Sequence, residues 1–462
     1  MSNNSPWIHQ LNKDREMKVL SQDIQTDVTI VGGGIAGVST AFFLLKHTNK
    51  KVAIIEGYKL AHGATGHNAG QIAGYFEKPF SEIVSEFGLE MACEGQKSFE
   101  AAWELLNEIY TEAGLDIPLF RFKGFSGHST KEQVIERLEN DYLRRKGGLR
   151  TDTIEIYEDV NFLSEIPEKY HNLFNLISKD EIALKLETFD PQYIAVSSSQ
   201  KGVMNSALFC QEVISFLLET YKDRLELYEH THAAIAVLKE DRVLLDCLNH
   251  TVECADVVLC TNGFEKFEIF APSGLSIDTN FHHNIDGLVA FMSGFLEPHT
   301  GVPAAISYFQ KVNPGLTDDP NASPYFYVTR RPYERDKSSK HDLISVGGPD
   351  FTLEKKVEYN RDLEFSTSAE EKITNFIRNT YDKSKDLELT FKWHGVMGYT
   401  KNLLRMIGPD PEQRRLFYNL GCNGVGILPS IFGGNKVARQ IAGEVFPPSI
   451  FDVQARQSSK RG

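Results

Sequence analysis

A strand followed by a glycine-rich turn constrains the fold of this chain more than any other feature. The segment Asp27-Val-Thr-Ile-Val-Gly-Gly-Gly-Ile-Ala-Gly37 joins an uncharged, β-branched run to three spaced glycines. Gly32 makes the turn, Gly34 leaves space for a pyrophosphate beside the backbone, and Gly37 lets the next helix pack closely on the strand. That helix begins at Ile35-Ala36 and directs its free N–H groups and positive dipole end at the phosphates. The turn predicts a dinucleotide site in a parallel sheet.

A second buried strand, Lys51-Val-Ala-Ile-Ile-Glu56, ends in an acidic residue. Glu56 follows the glycine turn at the distance typical of an acid that accepts hydrogen bonds from ribose hydroxyls. Its charge would repel a 2′-phosphate. An ordinary αβ unit with an acid at a strand end is the alternative interpretation of the same residues.

Length and charge narrow the class of protein. A chain of 462 residues is longer than the roughly 250–300 residues at which a single core stops growing, so we expect two domains. The net charge of −14 argues against nucleic acid or an anionic membrane as a partner. No apolar run approaches the ~20 residues of a membrane span, and residues 1–26 lack the apolar stretch of a signal peptide. We therefore expect a cytoplasmic protein.

Cysteine and histidine spacings give no indication of a metal site. None of the six cysteines stands in a CxxC pair, so buried free thiols in a reducing compartment are expected. His282-His283 has no Cys, Asp or Glu at metal-ligand spacing. We expect no bound metal.

Later segments indicate interleaved domains. A helical region runs from about Phe80 to Ala113, and an amphipathic helix capped by Asn205-Ser206 continues to Tyr221. Short strands follow, and Ala255-Asp-Val-Val-Leu-Cys-Thr-Asn-Gly263 has the pattern of a buried strand that runs into a glycine. Such a strand would return the chain to the nucleotide-binding sheet.

Two further glycine clusters are not explained by a nicotinamide-dependent dehydrogenase. Gly63-Ala-Thr-Gly-His-Asn-Ala-Gly70 lies just past the second strand, where the chain passes the distal half of a cofactor. Gly421-Cys-Asn-Gly-Val-Gly426 precedes a helix expected to start near Pro429 or Ser430, and the N-terminus of this helix would stabilise negative charge on a reduced flavin. The cofactor contacts expected here are Gly63, Ala64, Thr65, Gly66, His67, Asn68, Ala69, Gly70, Gly263, Gly424, Val425, Gly426 and Ile427.

Taken in order, these motifs resemble the FAD-dependent amine and amino-acid oxidoreductases of the D-amino-acid oxidase superfamily. Within it, the chain is most similar to the branch of glycine oxidase, sarcosine oxidase and γ-glutamylputrescine oxidase. The resemblance also includes Trp393-His-Gly-Val-Met-Gly-Tyr-Thr400 and Ile407-Gly408. It extends from Ser5 to about Gly443 and is loose in the middle.

The resemblance implies an α/β fold in which a Rossmann-type FAD-binding domain is interleaved with an α+β substrate domain on a mixed, largely antiparallel sheet. The FAD-binding domain would comprise residues 1–85, 190–265 and 392–450. The substrate domain would comprise residues 86–189 and 266–391, and residues 451–462 would form a tail.

The implied activity is oxidation of the C–N bond of a primary or secondary amine or an amino acid. Hydride would pass to flavin N5, the imine would hydrolyse, and O₂ or an electron carrier would reoxidise the flavin. Two other functions stay open. One is a maturation factor that oxidises a residue of a partner protein, and the other is a flavin-binding module without turnover.

His67 marks a departure from the family pattern. Relatives in the γ-glutamylputrescine branch commonly show Gly-Arg-Asn-Gly-Gly where this chain has Gly66-His-Asn-Ala-Gly70. Dimethylglycine-dehydrogenase-like relatives carry a histidine at a similar place, bonded covalently to the 8α-methyl group of the flavin. His67 is expected to hold FAD covalently or to contact it without a bond.

The segment Ser323–Arg331 is the candidate wall of the substrate site. As a strand it places Tyr325, Tyr327 and Thr329 on one face and Arg330 on the other. Tyrosine walls would desolvate a substrate ammonium and hold a residual cation by cation–π contact. An aromatic strand of the core explains the same alternation.

Three other side chains are candidates for substrate chemistry. Arg330 or Arg331 would bind a substrate carboxylate bidentately, as an arginine in this region does in amino-acid-oxidising relatives, unless it forms an ordinary ion pair. Arg405 is a further arginine candidate, unless it is only a surface residue. His394 would polarise the substrate or tune the flavin, unless it is structural.

Overall fold

Two β-sheets, one of nine strands and one of ten, organise the part of the chain that the structure describes. The structure is a computed structural model. It describes residues 3–264, 267–274, 285–313, 315–318, 324–334, 340–354, 357–381 and 388–453.

The helices in these ranges are α1 Pro6–His9, α2 Ile35–His47, α3 Phe80–Phe87, α4 Leu89–Glu112, α5 Lys131–Lys146, α6 Lys179–Lys185, α7 Ser206–Thr220, α8 Thr367–Phe376 and α9 Ile427–Ile441. The first strands are β1 Ile24–Val31, β2 Val52–Ile55, β3 Gln71–Ala73, β4 Leu119–His128, β5 Ile154–Tyr157, β6 Phe174–Ile177, β7 Ala195–Met204, β8 Leu225–Tyr228, β9 Ile235–Leu238 and β10 Val243–Asp246. The others are β11 Thr251–Leu259, β12 Glu268–Phe270, β13 Ile285–Pro298, β14 Ala304–Phe309, β15 Tyr325–Pro332, β16 His341–Leu353, β17 Phe391–Thr400, β18 Met406–Pro409 and β19 Leu416–Leu420.

The first sheet has the order β12-β9-β10-β11-β1-β2-β8. In addition, β19 pairs with β11, and β18 pairs with β19. β1 pairs in parallel with β2 on one side and with β11 on the other, so that Val28 faces both Val52 and Asp256. Val28 and Ile30 are fully buried, as expected for a parallel sheet covered by helices. The parallel pairing of β11 confirms that the chain returns to the nucleotide-binding sheet after a long excursion.

The second sheet has the order β17-β13-β16-β15-β14-β4-β7-β5-β6, with β3 beside β7. Most pairs are antiparallel, and β14 with β4 and β5 with β6 are parallel. This arrangement confirms the predicted mixed, largely antiparallel sheet.

Several local expectations differ from the structure. The helical region predicted over 80–113 is two helices, because Gly88 adopts a φ of 82° and separates α3 from α4. Phe451, placed in the predicted tail, is 1% exposed and stacks on Phe99. Residues 454–462 lie outside the described residues.

The two sheets also divide the chain differently from the predicted domain boundaries. β3, β7 and β17 fall in segments assigned to the FAD-binding domain, yet they pair in the second sheet. β12 falls in a segment assigned to the substrate domain, yet it pairs with β9 of the first sheet. The domain boundaries themselves stay a prediction.

None of the helices in the described ranges combines the length and apolarity that crossing a bilayer requires. All six cysteines are free; five are buried, and Cys422 is half-buried. No group of three His, Cys, Asp or Glu side chains in the described ranges could hold a metal ion. His282-His283 lies outside those ranges.

Candidate active site

A cavity of about 1730 Å³ is lined by residues of both sheets. The glycine turn after β1 and the carboxylate of Glu56 line one part of it. The loop over 63–70, the segment over 424–427, and Tyr325 and Tyr327 of β15 line it as well. The cavity thus joins the three predicted glycine motifs to the predicted substrate wall.

The turn after β1 presents unpaired backbone donors to the cavity. Gly32 has a φ of 112°, which favours glycine. A Cβ at Gly37 would overlap the carbonyl oxygen of Gly32, so this glycine permits the close packing of α2 and does not itself line the cavity. The N–H groups of Gly34 and Ala36 line the cavity and bond to no acceptor among the described residues. Such donors at a helix start suit a pyrophosphate.

Glu56 is held rigidly at the end of β2. Its carboxylate accepts hydrogen bonds from the N–H groups of Gly33 at 2.7 Å and Tyr58 at 2.8 Å. Burial raises the pKa of Glu56 despite these bonds. Arg361 stacks on the Tyr58 ring at 4.0 Å and lines the same part of the cavity, which the sequence did not predict. The carboxylate is available to ribose hydroxyls.

The loop over 63–70 is braced by its own polar groups. The hydroxyl of Thr65 accepts from Ile35 N–H at 3.0 Å, which ties the loop to the start of α2. Asn68 donates to the Thr65 carbonyl at 2.8 Å and accepts from Gly70 N–H at 2.7 Å. All of the predicted contacts in this loop line the cavity except Gly66, which packs against Ile8.

His67 lines the cavity as a neutral imidazole. Its Nδ1 lies 3.0 Å from the Gly63 carbonyl oxygen, so Nδ1 carries the proton and donates it. Burial lowers the pKa of His67 to about 4. Nε2 has no hydrogen-bond partner among the described residues and retains its lone pair.

The C-terminal glycine cluster ends at the start of α9. The helix begins at Ile427, two to three residues before the predicted start at Pro429 or Ser430, and no side chain caps it. Gly263, Gly424, Val425, Gly426 and Ile427 all line the cavity. The N-terminal N–H groups of α9 suit the negative charge of a reduced flavin.

Arg405 supplies a buried positive charge near this cluster. It is 5% exposed, and it donates to the side-chain and backbone oxygens of Asn419 at 2.7 and 2.9 Å. Burial lowers its pKa to about 10. It lines the cavity and forms no ion pair with a carboxylate of the described residues. Together with the donors at α2, it fits the anionic diphosphate of FAD.

Four tyrosines gather around Glu77 in the cavity, and Asp350 lines it nearby. Tyr325 donates a hydrogen bond to Glu77 Oε1 at 3.2 Å. A Cβ at Gly424 would lie 2.8 Å from Glu77 Cγ and 2.9 Å from the Tyr399 hydroxyl, so both side chains lie directly beside the glycine cluster. Tyr75 and Tyr327 line the cavity as well. Burial raises the pKa of Glu77.

The family described as DAO, FAD dependent oxidoreductase, matches residues 27–440, which include the motifs around the cavity. The chain belongs to this family. FAD is therefore its cofactor, and the chain is an FAD-dependent oxidoreductase.

Curated relatives of this family member are distant or match in part. Probable oxidoreductase OrdL of Haemophilus influenzae is 20% identical over 451 residues, covering 96% of this chain and 88% of that protein. Gamma-glutamylputrescine oxidoreductase of Escherichia coli is 31% identical over 81 residues, covering 18% of this chain and 19% of that protein. The chain spans only 26% of the putative Rieske 2Fe-2S iron-sulfur protein YhfW of Bacillus subtilis, at 26% identity over 137 residues.

Solved structures share the fold over nearly the whole chain. Glycine oxidase from Geobacillus kaustophilus has a TM-score of 0.65 at 17% identity, covering 94% of this chain and 100% of that one. L-Amino acid deaminase from Proteus myxofaciens has a TM-score of 0.65 at 13% identity, covering 98% and 97%. L-alpha-Glycerophosphate oxidase from Mycoplasma pneumoniae, solved with FAD bound, has a TM-score of 0.60 at 12% identity, covering 93% and 99%. These likenesses establish the fold of an FAD-dependent oxidoreductase.

Arg330 does not line the cavity. Its guanidinium forms two hydrogen bonds of 2.7 Å with the carboxylate of Glu187, and its Nε donates to the Val302 carbonyl at 2.7 Å. Alternation along β15 places Arg330 on the face opposite Tyr325 and Tyr327, as predicted. That face packs into the core, so Arg330 is not brought to the cavity.

Arg331 and His394 also lie outside the cavity lining. Arg331 is 5% exposed, stacks on the Trp7 ring at 4.3 Å and donates to Gln10 at 2.7 Å. His394 is fully buried. Its Nδ1 accepts from Tyr359 at 2.6 Å and its Nε2 donates to the Leu363 carbonyl at 2.9 Å. Burial lowers the pKa of His394, so its imidazole is neutral, and neither side chain lines the cavity.

Sequence reasoning missed Glu77 and Tyr75. Both follow the glycine loop after β3, in Gly74-Tyr-Phe-Glu77. An acid and an aromatic residue so close behind a cofactor-binding loop are the signal that would have identified them.

Proposed function

We propose that this oxidoreductase oxidises the C–N bond of a primary or secondary amine or an amino acid, giving an imine that hydrolyses. The observation that carries the proposal is the Glu77–Tyr325 pair beside Gly424, in the same cavity as the cofactor-binding loops. FAD, when bound, supplies the two-electron acceptor at its flavin ring.

Glu77 gives the chain a group that accepts a proton from an ammonium. Amine oxidation requires the neutral amine, and the best general base has a pKa near the working pH. Enclosure in the cavity raises the pKa of Glu77 towards that range, and the Tyr325 hydroxyl fixes one carboxylate oxygen. An amine bound at this pair, whether protonated or neutral, would lie against the Glu77 carboxylate.

The tyrosines supply a dry wall for the reacting carbon. The ring centroids of Tyr325 and Tyr327 are 5.9 Å apart, and Phe309 lies 5.1 Å from Tyr325. Burial raises the pKa of Tyr327 above its ordinary value, so its hydroxyl stays protonated. Aromatic faces attract an ammonium and exclude water.

Names of the similar proteins support an amine substrate. Glycine oxidase and L-amino acid deaminase are names of enzymes that act on amino acids, and gamma-glutamylputrescine oxidoreductase is named for an amine. We propose the same substrate class here, with O₂ or an electron carrier as the final acceptor. The six free thiols are in keeping with the cytoplasmic location that we propose.

An anaerobic panel of amines and amino acids tests the proposal. Substrates should bleach the oxidised flavin absorbance of the purified protein, and oxygen admitted afterwards should yield peroxide if O₂ is the acceptor. A flavin that no amine bleaches would contradict the proposal and favour a binding module. Bleaching by a protein-borne residue alone would favour the maturation factor.

We also propose that His67 contacts the flavin. The support is its place in the cavity lining and its unbonded, neutral Nε2. Acid precipitation distinguishes a covalent bond from a non-covalent contact. A yellow pellet from the wild-type protein and a colourless pellet from His67→Ala indicate a covalent bond through His67. Colour that stays wholly in the supernatant indicates a non-covalent contact.

A further inference from the structure

A row of hydroxyl groups crosses four neighbouring strands inside the cavity. Tyr327 of β15 pairs with Ser307 of β14, Ser307 with Ser126 of β4, and Ser126 with Ser197 of β7. Residues directly opposite each other project from the same face of a sheet, and all four line the cavity. We call these four residues the hydroxyl row. Three strand spacings of about 4.8 Å make it about 14 Å long.

The end of the hydroxyl row away from Tyr327 lies beside an arginine. Ser197 Oγ is 2.9 Å from His128 Nε2. Burial and the nearby Arg137 guanidinium lower the pKa of His128 to about 3, so this histidine is neutral. Arg137 lines the cavity and donates through Nε to Asp141 at 2.9 Å. Its two terminal nitrogens have no acceptor among the described residues.

Two arginines of α5 lie around this end. Arg137 and Arg144 share the one carboxylate of Asp141. Lys201 is fully buried, and its Nζ donates to Ser307, the row residue next to Tyr327, at 3.3 Å. The negative charge that acts on Lys201 is Glu77. The open terminal nitrogens of Arg137 therefore suit an anion that arrives with a ligand.

We infer that the substrate is an extended amine with an anionic group, such as a carboxylate, at its other end. Its amine lies at the Glu77–Tyr325 pair, its chain follows the hydroxyl row, and its anion binds Arg137. The acids that line the cavity near α5, Glu82 and Glu136, are exposed, so water screens their charge. The inference rests on the proposed function and deepens it by naming the substrate class.

The lateral spacing of the strands sets the expected separation of the two groups. Ser126 and Ser197 lie two and three strands away from Tyr327, which corresponds to about 10–14 Å. An α-amino acid holds its two groups far closer together. The row serines offer hydroxyls that donate to, or accept from, polar groups along the connecting chain.

Two matched series of compounds test the inference on the holoenzyme. The first runs from 4-aminobutanoate to 10-aminodecanoate, and the second contains n-alkylamines of equal length. Calorimetric titration measures affinity, and anaerobic flavin reduction measures turnover. We expect the longer amino carboxylates to bind at least about tenfold more tightly than the matching alkylamines, because a charge-assisted hydrogen bond is gained.

Arg137→Gln should weaken binding of 10-aminodecanoate by about ten- to a hundredfold and leave decylamine binding unchanged. Asp141 keeps its contact with Arg144 in this variant, so no buried carboxylate is orphaned. Arg121→Gln is the matched control, because Arg121 is 43% exposed, pairs with Glu104 and lies outside the cavity lining.

Equal affinities for the two series, or equal losses for both compounds in Arg137→Gln, would overturn the inference. If amines reduce the flavin but amino carboxylates are not preferred, the proposed function is supported and the inference about the anionic group is contradicted. Arg137-dependent binding of the carboxylates without any flavin reduction would support the ligand class and contradict the proposed function.

Discussion

Glu77 is the residue on which the proposed chemistry depends most. Burial raises its folded-state pKa above the unfolded value, so the base form gains population only as pH rises above the ordinary range of a glutamate. Glu77→Gln should lower the rate of flavin reduction by about a hundredfold or more. It should also abolish the rising limb of the pH profile, measured by anaerobic stopped flow. A variant that keeps both the rate and the limb would exclude Glu77 as the base.

The raised pKa of Glu77 also predicts how the stability of the folded protein depends on pH. A raised folded-state pKa means that the protonated form favours folding, and this contribution is lost as pH rises through that pKa. Glu77→Gln stays neutral, so its melting temperature relative to the wild type should increase from acidic to neutral pH. Thermal melts of the cofactor-free proteins measure the difference. A constant offset across pH would show that Glu77 titrates normally.

At the scale of elements, the close approach of α2 to the turn after β1 depends on Gly37. Gly37→Ala forces a methyl group into the Gly32 carbonyl oxygen, so α2 must shift. We expect a loss of about 1–3 kcal/mol in the free energy of unfolding and reduced FAD content after purification. Gly74→Ala is the control, because its Cβ would meet neighbours only at 3.7 Å or more. Equal FAD content in the two variants would contradict this role.

The ion pair of Arg330 with Glu187 joins β15 to the chain that follows α6. Its partners are 143 residues apart in sequence. Arg330→Ala should therefore lower the free energy of unfolding by about 1–3 kcal/mol and leave substrate affinity unchanged. A double-mutant cycle with Glu187→Ala in chemical denaturation measures the coupling. Weaker substrate binding at unchanged stability would restore Arg330 as a substrate residue.

At the scale of the whole molecule, FAD should couple the two sheets, because its cavity is lined by both. A ligand that binds only the folded state stabilises it by RT ln(1 + [L]/Kd), about 2.7 kcal/mol at a hundredfold excess over Kd. Adding FAD to the cofactor-free protein should raise the midpoint temperature of a single cooperative melting transition. ADP fills only the part near the glycine turn and should raise it less. Separate transitions that respond independently would contradict the coupling.

Local signals account for what could be predicted of the fold. The strand, glycine turn and helix over 27–47 lie within one short stretch of chain, where spacing alone specifies the conformation. The return of β11 to the parallel sheet could be predicted because its sequence is a continuous apolar run, and such a run is typical of a strand that is covered on both faces. The break at Gly88 was missed because helical periodicity continues on both sides of it.

The side of the site around β15 was predictable only in part. Alternation along β15 correctly separated Tyr325 and Tyr327 from Arg330, since side chains of a strand alternate between faces. Which face met the cavity, and what Arg330 paired with, depended on contacts with distant segments. His394 satisfied both ring nitrogens with residues more than thirty positions away, which no local pattern displays.

By itself, the sequence determined the family, the cofactor and the position of the dinucleotide motif, because these rest on residues adjacent along the chain. Only the tertiary structure decided which charged side chains reach the cavity. Strand register aligned Tyr327 with serines of three other strands and brought Glu77 to the glycines of the C-terminal cluster. The Ser126–Ser307 and Glu77–Gly424 contacts join segments more than 180 residues apart, and the packing that selects them is a property of the folded chain.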